Sequence, residues 1–321
     1  MSTQGSVLAV DLGGTNLRVA AIAPDGRMLE RRSAPARGDE GPHSVIARMA
    51  ELCQAVAAEA GLADDAPIGV ASPGPLDPYT GVVLFTPNLP GWRDVPLGPM
   101  LSELTSRAVR VSNDANCAAL GEARFGAAAG LHDVVYLGLG TGVGGGLILD
   151  GQLYEGGYGM GVELGHVTVS TDGPRCTCGG VGCLEAYVSG WAIAREAYLV
   201  STTADGDRIR HFAGAHKPDA RAVTLAAQEG DLAARLILNR AGLALGAAMG
   251  AFINIFNPEA IVIGGGVLAP GDPFLWAGEG GVGRFRFKGL RDPAKILAAT
   301  LGDDNGLFGA GALALERSRR H

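Results

Sequence analysis

The sequence predicts an α/β protein of two domains, and three observations carry that prediction. Apolar runs of strand length alternate with segments of helical spacing along most of the chain. A glycine-turn hairpin near the N-terminus has a counterpart deep in the chain: aligning Asp11 with Gly138 gives an offset of 138 minus 11, or 127 residues. At 321 residues the chain exceeds one typical domain.

In order, Val7 to Val10 reads as a strand, Asp11-Leu-Gly-Gly-Thr15 as a turn, and Asn16 to Ala23 as the returning strand, closed by Pro24-Asp25-Gly26. Ser44 to Ala60 has helical spacing, Pro67 to Ala71 reads as a strand, and Arg107 to Val111 as another that leads into Ser112-Asn113-Asp114. Ala115 to Ala129 follows as a helix capped by Asn113 or Asp114. The second hairpin runs from Val134 through Gly140-Thr141-Gly142 to Asp150-Gly151. Two such hairpins, each opening one half of the chain, point to an internal duplication, against which stands chance similarity of glycine-rich turns. Ala220 to Phe256 is helical in pattern, Ala260 to Ile263 is a buried strand ending in three glycines, and Asn305 begins a last helix. Residues 201–219 and 270–294 lack periodicity and read as loops. The domain boundary is expected near residue 120: a smaller N-terminal domain, 1–120, completed by the C-terminal helix 306–321, and a larger domain, 121–305.

Hydrophobic residues make up 47% and charged residues 18%, which excludes a disordered chain. The net charge of −7 and the absence of any Lys/Arg run longer than two argue against a nucleic-acid partner. The start, MSTQGSVLAVDLGG, lacks the features of a secretory signal, so the expected location is the cytoplasm. Ala241 to Phe256 is the most membrane-like stretch, but it is short for a span and contains Asn254; a buried core helix is expected there, and no membrane partner.

Glycine turns expose backbone N–H groups to a common space and so hold anions. Gly13, Gly14, Thr15 and Asn16 form one candidate phosphate grip, and Gly140, Thr141 and Gly142 the other, with Gly264 to Gly266 available for a nucleoside. Asp11 ends its strand and can hold Mg²⁺ through water. The segment GTGVGGG is not a Walker loop, since no Gly-Lys-Ser/Thr follows, and it is a poor dinucleotide fingerprint, since a strand follows it.

Three of the five cysteines, Cys176, Cys178 and Cys183, lie within eight positions, ten residues after His166. Three thiolates and an imidazole satisfy tetrahedral Zn²⁺. Disulfides compete, but a Cys-x-Cys pair bridges poorly and no secretory signal is present. A closed four-ligand site is structural, fixing Glu163 and Glu185 on its flanks. Cys53 and Cys117 fall on apolar helical patterns and read as core. Asp114, between a strand and a helix, is either an N-cap, a base for a hydroxyl acceptor, or both.

Together, Asp11-Leu-Gly-Gly-Thr15, Asn113-Asp114, Glu163-Leu-Gly-His166 and Cys176-x-Cys-Gly-x-x-Gly-Cys183-x-Glu185 resemble the ROK family of repressors and sugar kinases. The similarity spans nearly the whole chain, and the cysteine motif is its specific part. The resemblance implies the duplicated actin-like, hexokinase-type fold, with two domains around a nucleotide and sugar cleft. Thr86-Pro-Asn88-Leu-Pro-Gly-Trp92 is similar to members that phosphorylate glucose. By the same resemblance Asp114 is the catalytic base toward the glucose 6-hydroxyl, and Asn88, Asn113, Glu163, His166 and Glu185 bind sugar hydroxyls. His166 then serves sugar with one ring nitrogen and zinc with the other. Gly13, Thr15, Thr141 and Gly142 hold the phosphates of ATP, which acts with Mg²⁺, and Gly265 and Gly266 lie near the adenosine. Family members are commonly homodimers or homotetramers. Residues 271–292 depart from the family pattern. Kinases for mannose, fructose or an N-acetylhexosamine are the neighbouring alternatives, polyphosphate is an alternative donor, and a sugar-responsive repressor is a more distant alternative. The repressor needs a DNA-binding segment ahead of Val7, where six residues stand.

Overall fold

The structure, a computed structural model, describes residues 3–86, 89–266, 273–290 and 294–316. Its first strands are β1 (Val7–Leu12), β2 (Asn16–Ile22) and β3 (Met28–Pro35), followed by helix α1 (Pro42–Ala60) and strand β4 (Ile68–Ser72). A small antiparallel sheet of β5 (Leu76–Asp77), β6 (Val82–Phe85) and β7 (Arg93–Val95) comes next, then α2 (Leu97–Thr105), β8 (Val109–Asn113) and α3 (Asp114–Phe125). The later part contains β9 (Val134–Leu139), β10 (Val143–Leu149), β11 (Gln152–Leu153), α4 (Glu185–Val188), α5 (Gly190–Ser201), α6 (Asp207–Ala213), α7 (Ala220–Gln228) and α8 (Leu232–Phe256). It closes with β12 (Ala260–Gly264), α9 (Pro273–Phe285), β13 (Lys295–Ala298) and α10 (Asn305–Leu315).

The two large sheets have the orders β3-β2-β1-β4-β8 and β11-β10-β9-β12-β13. In each, an antiparallel hairpin leads into parallel neighbours: β1 pairs with β4 and β4 with β8, β9 with β12 and β12 with β13. The bounds of β9 follow those of β1 by 134 minus 7 and 139 minus 12, both 127, and β10 follows β2 by 143 minus 16 and 149 minus 22, again 127. The duplicated α/β fold expected from the sequence is therefore present at the register of single residues.

Contacts divide the chain into two compact units. The first comprises Met1–His132, Gly146–Val162 and Ala299–His321; the second comprises Asp133–Gly145 and Glu163–Ala298. In the first, strand alternation sorts the core. Leu8, Val10, Leu17, Val19, Ile68 and Val70 join Val45, Ile46, Met49, Cys53 and Val56 of α1 in one cluster. On the opposite face α10 lies so close to β4 that a Cβ on Gly69 would stand 1.9 Å from the Ala310 carbonyl oxygen, and one on Gly309 would stand 1.8 Å from that of Cys117 in α3. Burial on both faces explains why β1 reads as an unbroken apolar run rather than an alternating one.

In the second unit α8 packs along α9 and against α4, α5 and α7. Among the described residues it is the one helix long and apolar enough to cross a membrane, yet more than half of its most apolar stretch is buried, as a core helix requires. The stretch 220–256, helical in pattern, forms two helices, α7 and α8, because Gly230, at φ 94°, breaks the run and Asp231 recaps α8 by accepting from the Ala234 N–H.

Two stretches expected to be loops are partly helical. Residues 207–213 form α6, and 273–285 form α9 although four glycines lie within it. The remaining expectation for 270–294 falls in part on 270–272 and 291–293, outside the described residues.

Candidate active site

Asp11, Ser72 and Asn113 stand at the C-terminal ends of the parallel strands β1, β4 and β8, the edge where open α/β sheets present their functional groups. Asn113 is the N-cap of α3, its Oδ1 accepting from the Ala115 N–H at 2.9 Å, so the cap is Asn113 and not Asp114. Asp114 becomes the first helical residue; one of its oxygens also accepts from Ala115 N–H, at 2.8 Å, and the side chain is exposed.

Asp11 lies against the first turn of α10, where a Cβ on Gly306 would come within 2.9 Å of its Oδ1. Burial first, then the negative charges of Asp114 and Asp304, push its carboxyl up to about 6, although Arg18, 3.7 Å away, pulls the other way. After Asp11 the Gly13 N–H donates to Asn16 O at 2.8 Å and closes the turn, leaving Gly14, Thr15 and Asn16 exposed. This corner thus gathers Asp11, Asn113, Asp114 and the turn on one edge of one sheet.

The second unit builds its own corner at the ends of β9 and β12. Gly140 N–H donates to Gly142 O at 2.9 Å, leaving Thr141 exposed at the tip. Gly265, at φ 104°, crosses the end of β9 so tightly that a Cβ would stand 2.1 Å from Leu139 O; Gly266 beside it is exposed. Glu185, the first residue of α4, reaches this turn. It is 8% exposed, and its Oε2 accepts from the Val143 N–H at 2.9 Å. A Cβ on Gly142 would lie 2.7 Å from the same oxygen, so glycine is required there by Glu185 as well as by any anion.

The sulfur atoms of Cys176, Cys178 and Cys183 and a ring nitrogen of His166 lie within 4.8 Å of one another. Cys178 and Cys183 sulfurs are 3.7 Å apart and the His166 Nδ1 is 3.8 Å from Cys176 Sγ. A tetrahedral zinc with sulfurs at about 2.3 Å separates them by about 3.8 Å, whereas a disulfide needs about 2 Å; all five cysteines are free. The residues therefore fit a closed zinc site. Gly182, at φ 67°, makes the chain reversal that returns Cys183, and a Cβ there would meet Ser170 O at 1.7 Å. Cys53 and Cys117 are fully buried and stand apart from this cluster.

Glu163 is exposed and opens the single 3₁₀ turn Leu164–His166, its carbonyl accepting from the His166 N–H at 2.9 Å. Asn88 lies outside the described residues. Two participants were not expected. Arg18 sits directly across the hairpin from Asp11, a pairing that the strand register could have revealed; Asp304, which faces Arg18 and Arg31, carries no local motif.

A sequence profile of the ROK family matches residues 7–317. The chain belongs to the ROK family. Among ROK proteins it is 37% identical to the glucokinase of Thermotoga maritima over 313 residues, covering 97% of this chain and 98% of that one. The ROK hexokinase of Thermus thermophilus superposes with a TM-score of 0.85 at 35% identity, covering 96% of this chain and 97% of that one. A ROK glucokinase from Streptomyces griseus, solved in complex with glucose and AMPPNP, superposes with a TM-score of 0.76 at 31% identity, over 96% and 98% of the two chains.

Proposed function

We propose that the chain is a sugar kinase that transfers the γ-phosphoryl group of ATP to the 6-hydroxyl of D-glucose, with Asp114 as general base. The observation that carries this reading is the exposed Asp114 carboxylate at the head of α3, fixed by its Asn113 cap and sharing a sheet edge with Asp11. The similarity to proteins named glucokinase supports the choice of sugar.

Asp114 accepts the proton of the 6-hydroxyl as its oxygen attacks the γ-phosphorus; the bond from that phosphorus to the β–γ bridging oxygen breaks, ADP leaves, and the proton later passes to solvent. Asn88, Asn113, Glu163, His166 and Glu185 orient the sugar hydroxyls. Gly13, Gly14, Thr15 and Asn16 in one turn and Thr141 and Gly142 in the other hold the phosphates through backbone N–H groups and hydroxyls, and Gly265 and Gly266 leave room for the adenosine. Asp11 would hold Mg²⁺: its carboxyl is pushed up by burial and by like charges, and a divalent cation relieves that repulsion. The ion, when bound, neutralises charge on the β- and γ-phosphates. His166, Cys176, Cys178 and Cys183 would hold a structural zinc. The active protein is a homodimer or homotetramer, which sedimentation would test.

The test is Asp114→Ala in a coupled ADP-release assay. The expected kcat loss is about 10²- to 10⁴-fold, the contribution of a general base, with glucose binding retained by calorimetry. Turnover within a few-fold of wild type would remove Asp114 from the role. A second reading, a broader hexokinase, is favoured by the likeness to the Thermus protein of that name. A panel of glucose, mannose, fructose and N-acetylhexosamines, each with ATP and with polyphosphate, separates the two by kcat/KM.

A further inference from the structure

Glu185 is tied at both oxygens, and the two ties lead to different places. Its Oε2 accepts from the Val143 N–H at 2.9 Å, on the glycine turn. Its Oε1 accepts from the Thr177 hydroxyl at 3.2 Å and lies 3.6 Å from Cys176 Sγ, both in the cysteine loop. The next helix grips the turn a second time, since the N–H of Gly190, the first residue of α5, donates to Gly140 O at 2.8 Å. The turn is therefore bracketed on both sides by the segment that begins two residues after the ligand Cys183. Each Glu185 oxygen still has acceptor capacity, so a sugar hydroxyl is not displaced by these bonds.

We propose that Glu185 is the positioning residue through which the cysteine–histidine centre sets the shape of the Gly140–Val143 turn, and with it the affinity for the donor nucleotide. This rests on reading that turn as one that holds donor phosphates. Glu185 then serves the donor side as well as the acceptor, and the metal loop reaches the nucleotide without touching it. Anion binding by backbone N–H groups depends on their direction, and Val143 N–H and Gly140 C=O are the two groups that fix the turn from behind.

Thr177→Val tests the link, because the residue is exposed and its change removes one hydrogen bond while leaving every metal ligand and sugar-binding residue in place. The full-length zinc-loaded protein is measured in three ways: Mg·ADP affinity by calorimetry without sugar, KM for ATP and for glucose, and amide exchange at Val143. In Thr177→Val the nucleotide Kd and KM are expected to rise about fivefold, the worth of one hydrogen bond, with the glucose KM unchanged and Val143 exchange accelerated. Chelation of the zinc accelerates the same amide. Glu185→Ala loses more nucleotide affinity than Thr177→Val, and Glu185→Gln, which keeps an acceptor for Val143, restores most of it. Unchanged nucleotide affinity and unchanged Val143 exchange, or an effect confined to glucose, overturn the proposal. If wild type fails to bind Mg·ADP, the phosphate reading of the turn falls and takes the proposal with it, while Val143 exchange still shows whether the mechanical link exists.

Discussion

Asp11 is a carboxylate held where it is least comfortable, partly buried at the foot of α10 with two other acids nearby. Its folded pKa, about 6, lies above its unfolded value of 3.8, so between those two pH values the folded protein binds a proton that the unfolded chain has released. Stability therefore falls as pH rises from about 4 to 6, and above 6 the whole cost of the buried charge is present. Two pKa units correspond to about 3 kcal/mol. Asp11→Asn is expected to raise the melting temperature at pH 7 in the absence of magnesium and nucleotide, and to abolish magnesium-dependent turnover. Differential scanning calorimetry at pH 4 and pH 7 checks it: the gain should shrink at the lower pH. The placement of Asp11, Asn113 and Asp114 at this corner was legible because they close segments that read as strands. Asp304 was not, since it reaches the corner from a segment some 290 positions away in the chain, and nothing in Gly302-Asp-Asp-Asn-Gly306 announces that.

Helix α3 does more than present Asp114. Glu122, fully buried on its inner side, accepts from the backbone N–H groups of Ala127, Thr300 and Leu301 at 2.8, 2.9 and 2.9 Å. A single carboxylate thus ends α3 and fastens the segment ahead of α10. Glu122→Ala removes the shared acceptor of three partly buried backbone N–H groups and is expected to cost on the order of 3 kcal/mol, read as a lower denaturant midpoint. Asp114 should keep its capped geometry, so kcat should fall far less than with Asp114→Ala. At this scale the sequence misled where packing overrode propensity. Four glycines mark α9 as a loop on intrinsic preference. Yet a Cβ on Gly246 would meet the Gly278 carbonyl at 2.7 Å and one on Gly250 would meet Phe285 Cβ at 2.8 Å. Small residues let α8 and α9 approach closely, and that contact is invisible to a local reading. By contrast the hairpins were legible, because a turn is specified by its own residues.

At the scale of the molecule, the region between residues 167 and 184 has little regular structure, and the apolar cluster around its cysteines is small among the described residues: Cys176, Cys183 and Ala186, with Trp191 against it. A metal held by His166 and the three cysteines would stand in for the missing apolar burial. One zinc per chain is expected by atomic absorption, and Cys178→Ser should lose it with a melting temperature lower by about 10 °C, equivalent to roughly 3 kcal/mol for a unit of this size. Retention of the wild-type melting temperature in metal-free protein would contradict a stabilising role. The duplication was legible in the sequence because each half opens with the same local device; the threading of the chain between the units was not, because it is set by which distant segments cover which sheet face.

That threading has a consequence for synthesis. The first unit needs α10, which covers the outer faces of β1 and β4, and it needs Thr300 and Leu301 to satisfy Glu122. These are translated after Glu163–Ala298, the one uninterrupted stretch that makes up most of the second unit. A chain emerging at about 5 to 20 residues per second therefore exposes the apolar β1–β4 face through the making of everything after it. The first unit, begun before the second, is completed after it. Ribosome-stalled chains ending before Asn305 should be bound by chaperones through the segment from β1 to β4, and emergence of α10 should end that dependence.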